Sequence, residues 1–229
     1  MYFLCAQIVV SLTLLSGRVC LAQDTSSNVA SALGFFPASQ RFYSSGFVSP
    51  TPPTIQSEFR ANYMQHKFDA NISDHIVSGF IYVSPSQKKV RADGAGDGFL
   101  EASIFDFANT TANGTLVANS IVSFASGVTT PTCSSFFVAP FVEVFPDDFL
   151  AQSNAVFAGI QLDELYGEVS AWTFSQGSSL QVTFFLDSND TFVRYDFAAS
   201  DSLRTFATTR FFNIIPGPVN GTVFETSCT

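Results

Sequence analysis

Residues 75–93 read HIVSGFIYVSPSQKKVRAD: an apolar run, a polar tetrapeptide containing Pro85, and then three of the chain's ten Lys and Arg residues within four positions. In an extended chain alternate side chains point to opposite faces. Val77, Ile81 and Val83 share one parity and Phe80 and Tyr82 the other, so this strand is apolar on both sides. Pro85 sets φ for a turn over residues 84–87. The return strand places Lys89 and Arg91 on one parity and Val90 and Ala92 on the other. The spacing predicts a hairpin whose cations face solvent, where they keep an edge or outer face soluble and discourage pairing with another chain.

A strand apolar on both faces has to be covered twice, or has to border a cavity. Phe137 and Phe141 set against Phe136, Val138, Val142 and Val144 repeat the pattern. From residue 57 onward, runs rich in Phe, Val, Ile, Tyr and Thr recur between turn residues, which marks an all-β domain. Strands are expected over 57–69, 75–84, 87–93, 98–107, 115–125, 134–145, 155–163, 167–175, 179–187, 191–198 and 205–215. Leu180, Val182, Phe184 and Leu186 share one buried face, as do Val193, Tyr195 and Phe197 on the next strand. PDDFLAQ, 146–152, opens with Pro and two acids and suits a brief helix.

The first 22 residues, apolar and uncharged from Tyr2 to Leu15 with small residues before Gln23, read as a secretory signal peptide cut after Ala22. Residues 23–54 form a flexible leader rich in Ser, Pro and Gly, and 55–229 a single antiparallel β domain. Cleavage removes Arg18 and no acid, taking the net charge from −9 to −10, which repels nucleic acid and anionic membrane surfaces. Cys5 and Cys20 leave with the signal. Cys133 and Cys228 then form one disulfide in an oxidising compartment, a crosslink worth roughly 4 to 5 kcal/mol by loop entropy. Five N-x-S/T sites stand at Asn71, Asn109, Asn113, Asn189 and Asn220, the first four between strand runs, which points to a secreted, extracellular glycoprotein.

Little in the chain suggests catalysis. His66 and His75 are the only imidazoles, in no metal-ligand spacing, and Asp74 and His75 point to opposite faces of an extended chain. DGAGDG, 93–98, lacks the ligand spacing of a calcium loop and reads as a glycine-rich hairpin turn. Asp147, Asp148, Asp163, Glu164 and Glu168 cluster mid-chain, where two facing acids would suit a glycoside hydrolase but solvated loops are the simpler expectation. No catalytic residue, metal or cofactor is expected.

FRANYMQHKFD (59–69) and SGFIYVSPSQKKVRAD (78–93) resemble the early strand, hairpin and basic return strand of the ependymin-related proteins and, more remotely, the LolA-like carriers. In strand succession the resemblance spans most of the chain. It implies a strongly curved antiparallel sheet forming an incompletely closed β-barrel, with a pocket for a lipid or other apolar small molecule. The chain departs from ependymins in keeping only Cys133 and Cys228, so the family's disulfide framework is not carried over. The residues expected to line the pocket are Phe80, Tyr82, Phe105, Phe137, Phe141, Phe184 and Tyr195. Two other readings stay open: an extracellular structural or adhesion module with a filled interior and a protein or glycan partner, and a carboxylate-dependent polysaccharide hydrolase.

Overall fold

A computed structural model describes residues 48–69, 72–96, 98–138, 144–176, 180–199 and 205–226. The proposed signal peptide, most of the leader, Asn71, Phe141 and Cys228 lie outside these residues.

Among the described residues eleven antiparallel strands form one sheet that does not close into a barrel. The first meander comprises β1 (Phe59–Asp69), β2 (Ile72–Ser84), β3 (Lys89–Gly96), β4 (Phe99–Thr110), β5 (Val117–Ala125) and β6 (Thr132–Val138). The second comprises β7 (Val156–Asp163), β8 (Gly167–Gln176), β9 (Leu180–Leu186), β10 (Phe192–Ala199) and β11 (Phe206–Pro216). The order β6-β5-β4-β3-β2-β1-β11-β10-β9-β8-β7 sets the first strand beside the last and leaves β6 and β7 as edges. The helix expected over 146–152 is a single turn, α1 (Phe149–Gln152).

Ile81 on β2 and Phe174 on β8 are separated in the sheet by β1, β11, β10 and β9. On a flat sheet five strand spacings would hold them about 24 Å apart. Both border one cavity, so the sheet is strongly curved. The main core lies on the concave side, where Phe59, Val83, Val90, Phe105, Phe184 and Phe211 are buried. The connection to β7 adds to that core: Leu150 is fully buried, and Phe145 and Phe149 pack beside it.

The hairpin at 75–93 forms as its pattern requires. Residues 85–88 turn, with the Lys88 amide donating to the Pro85 carbonyl at 3.1 Å, and Val90 and Ala92 are buried. The role expected for its cations needs correction. β3 is an interior strand, so Lys89 and Arg91 protect no edge. Arg91 instead fastens the C-terminal tail, donating from Nη1 to the Val223 carbonyl at 2.6 Å while its Nε pairs with Asp93 at 2.6 Å. Gln87 adds a bond to the Val219 carbonyl at 2.7 Å. Tyr82 and Ile104, on the convex side, lie under Val219 and Phe224 of that tail. Glu58 Oε1 accepts from the hydroxyls of Ser84 (2.6 Å) and Ser86 (3.0 Å) and from the Val219 amide (3.3 Å). The Ser84 hydroxyl above all holds the Glu58 carboxyl below its ordinary range, against the opposing effect of burial.

Two further expectations are overturned. DGAGDG is not wholly a turn, because β3 runs to Gly96. The glycines serve close approach instead. Gly94 pairs with Gly79, where an added Cβ would stand 1.6 Å from the Asp93 carbonyl oxygen, and the Tyr63 hydroxyl occupies the space a Gly94 side chain would need. Val193 does not share the face of Tyr195 and Phe197. A bulge between Phe192 and Arg194 shifts the alternation, so Phe192 joins the concave core and Val193 packs on the convex side with Val169, Ala171 and Phe185.

Candidate functional site

The sheet curls round a cavity of about 320 Å³. That is the lower end of the roughly 300–1,000 Å³ typical of small-molecule sites. Inward parity on six strands builds the wall: Phe59 from β1, Ile81 and Val83 from β2, Phe174 and Gln176 from β8, Leu180, Val182 and Phe184 from β9, Phe192, Tyr195 and Phe197 from β10, and Phe211 from β11. Two segments outside the sheet complete it. Ile55, Gln56 and Ser57 come from the approach to β1, and Phe145 from the connection to β7. These segments are tied to each other by the Ile55 amide, which donates to the Asp147 carbonyl at 2.9 Å.

The aromatic lining is fixed by ring contacts. Phe184 is the hub, stacked on Phe192 at 4.2 Å and meeting Phe174 and Phe145 edge-on at 5.1 and 5.3 Å. Phe192 in turn meets Phe211 at 5.4 Å and Tyr195 at 6.1 Å. Burial grades along the cavity: Phe184, Phe192 and Phe211 are buried, whereas Gln176, Leu180 and Phe197 at the β8–β9 end are half-buried.

Gln56 and Tyr195 on this wall are engaged by the protein itself. Gln56 bonds both backbone groups of Phe192. The Tyr195 hydroxyl bonds with Thr209 and Gln65, which also bond each other at 2.9 Å. Burial pushes the Tyr195 phenol above its usual range, and those two hydrogen bonds oppose the shift. Gln176 is not without a partner either. None of the lining residues among the described ones carries a charge.

Of the residues expected to line a pocket, Phe184 and Tyr195 border this cavity. Phe105 is fully buried in the same core, two strands beyond β2 and away from the cavity. Phe80 and Tyr82 have the opposite parity to Ile81 and Val83: Phe80 is 51% exposed, and Tyr82 lies under the tail. Phe137, 47% exposed, sits on edge strand β6, and Phe141 lies outside the described residues. Sequence reasoning missed Phe192, because the bulge inverts its parity, Gln56, because it lies before the first strand, and Ser57, which was expected inside that strand but precedes it. Leu180 and Val182 were legible in the same alternation that exposed Phe184.

Groups with catalytic potential lie elsewhere. Asp163 is buried on the convex side between Arg194 Nη1 (3.3 Å) and Arg210 Nη2 (3.8 Å), and its Oδ1 accepts from the Leu165 amide at 2.9 Å. Asp148 accepts from the Gln152 side chain at 2.8 Å. The His66 side chain is on the convex face, and His75's lies outside the described residues. Among the described residues no cluster of three His, Cys, Asp or Glu side chains is placed to hold a metal, and no helix is long and apolar enough to cross a membrane.

No protein-family model matches the chain, and no curated protein matches it. Solved structures with a similar course include a LolA superfamily protein from Nitrosomonas europaea, 8% identical, with a TM-score of 0.34 over 75% of this chain and 91% of that one. A domain assigned to outer membrane lipoprotein sorting from Vibrio parahaemolyticus is 7% identical, with a TM-score of 0.29 over 72% of this chain and 89% of the other.

Proposed function

We propose that this protein is a secreted glycoprotein that holds a lipid or other apolar small molecule in the concave cavity of its sheet, without catalysing a reaction. The observation that carries the reading is open space bordered almost wholly by apolar side chains, in a core otherwise packed to ring contact. An empty apolar cavity costs stability in proportion to its volume, and a guest offsets that cost. Each methylene moved from water into the cavity contributes about 0.8 kcal/mol. The ependymin-related and LolA-like resemblance of residues 59–69 and 78–93 belongs to the same reading.

The extracellular part of the proposal is supported by the N-terminal signal pattern and by the placement of the sequons. Asn109, Asn113, Asn189 and Asn220 are all exposed, Asn109 at the end of β4 and the others between elements. Asn113 and Asn220 use only Oδ1 locally, accepting from Thr115 and Thr222, so Nδ2 is available for a glycan. The Cys133–Cys228 crosslink is part of the same proposal. Cys133 points to the convex side from β6, two strands from the tail residue Phe224 on Ile104. Two strand spacings are about 10 Å, within the roughly 13 Å that four extended residues reach. A structural module with a filled interior is disfavoured by the cavity, and a hydrolase by the capture of Asp163 between two arginines.

Native mass spectrometry of the purified protein, with displacement of the uncharged fluorophore N-phenylnaphthylamine, tests the carrier reading. Co-purified apolar adducts or saturable displacement are expected. No adduct together with no probe binding ends it.

A further inference from the structure

We propose that the cavity selects an uncharged guest, such as an alkyl alcohol or ester, over a free carboxylate of the same chain length; this rests on the carrier reading above. The lining has two properties that together define the ligand's chemistry. No described lining residue is ionisable at neutral pH, so a buried carboxylate would find no counter-charge. Taking an unpaired carboxylate out of water costs several kcal/mol or drives its protonation.

The second property concerns hydrogen bonds. A neutral polar wall can solvate an anion if its donors are free, but here the Gln56 and Tyr195 groups already bond the protein itself, leaving only neutral donors, the Ser57 hydroxyl and the second Gln56 N–H, to set against a full charge. The Gln56 amide is divided between the two backbone groups of Phe192. The Tyr195 hydroxyl is taken up with Thr209 and Gln65. Releasing either set would leave buried backbone or hydroxyl groups unpaired, at a cost comparable to the bond gained. An anion could avoid burial only by keeping its head at the half-buried β8–β9 end, where Gln176, Leu180 and Phe197 carry no charge and the cation on that face, Lys67, stands two strands from Phe197 across β11 and is already engaged. The mature chain's net charge, −10 after cleavage, adds a repulsive field around the whole molecule.

Size sharpens the class. At about 320 Å³ the cavity lies at the lower end of small-molecule sites, which suits one medium-length chain better than two. The guest is therefore a short uncharged hydrocarbon, or one uncharged chain of a larger lipid.

Competition against N-phenylnaphthylamine at pH 7.5 with decanol, methyl decanoate and decanoate tests this on the full-length protein. Decanol and methyl decanoate are expected to displace the probe at concentrations at least about tenfold lower than decanoate, since desolvation of the anion has nothing to offset it. Decanoate competing as well as or better than its ester would overturn the selectivity while leaving the carrier reading intact. If neither the probe nor any of the three binds, the carrier reading falls and takes this inference with it.

Discussion

Gln56 grips the backbone of Phe192 at both ends: its Oε1 accepts from the Phe192 amide at 2.7 Å and its Nε2 donates to the Phe192 carbonyl at 3.0 Å. Phe192 precedes the stretch of β10 that pairs with β11, which begins at Arg194. Its backbone on that side would be unpaired without the glutamine. A side chain from outside the sheet thus completes a bulged strand and holds the ring that stacks on Phe184.

Gln56→Ala should cost about 1–3 kcal/mol, because it leaves two buried backbone groups without partners. Gln56→Glu keeps the acceptor but sets an unpaired carboxylate oxygen against the Phe192 carbonyl, so its loss should be at least as large. Urea unfolding midpoints of the three proteins check the order, and hydrogen exchange at the Phe192 amide should accelerate in Gln56→Ala.

Val182 is buried on the cavity wall. Val182→Phe should fill the space, reducing probe affinity by at least about tenfold while changing stability by no more than about 2 kcal/mol. Phe184→Ala removes the ring hub and should cost about 3–5 kcal/mol. Parallel probe titration and denaturant unfolding separate the two effects.

Arg194 and Arg210 face each other across β10 and β11, and Asp163, with a side chain only 2% exposed, pairs with both. Arg194 also pairs with Asp196 and lies 4.4 Å over the Phe185 ring. Asp163→Asn should destabilise by about 3–5 kcal/mol, the cost of breaking a buried ion pair. The exposed neighbour substitution Glu164→Gln should change stability by less than about 0.5 kcal/mol. Urea unfolding of both variants at low and high salt is the check, with Asp163→Asn remaining impaired at either.

Burial, with smaller contributions from Tyr195, Asp93 and Glu101, pushes the Tyr63 phenol up to about 12. A raised folded pKa means the neutral phenol is favoured in the folded protein. The associated stability, on the order of 2 kcal/mol, is fully present below pH 10 and is lost as pH rises from about 10 through 12. Tyr63→Phe should flatten that part of the alkaline unfolding profile.

The hairpin at 75–93, the eleven strands and the single connecting helical turn were legible because alternation and turn residues are local properties. Leu180, Val182 and Phe184 were legible for the same reason. Phe80 and Tyr82 show the limit: alternation revealed two apolar faces on β2 without saying which was concave. The Phe192 ring shows another, since one extra residue inverts parity and only the partner strand reveals it. Arg91 shows a third, because a cation's role depends on whether its strand is an edge.

Local chemistry along the chain determined the all-β class, the strand succession and the polarity of each strand face, since these depend on neighbours within a few residues. The tertiary structure decided which face curls inward, where the bulge falls, and that Gln56, Phe145 and the strands flanking β1 converge on one cavity. Those outcomes arise from contacts between residues more than a hundred positions apart, such as Gln56 with Phe192, and no local pattern encodes them.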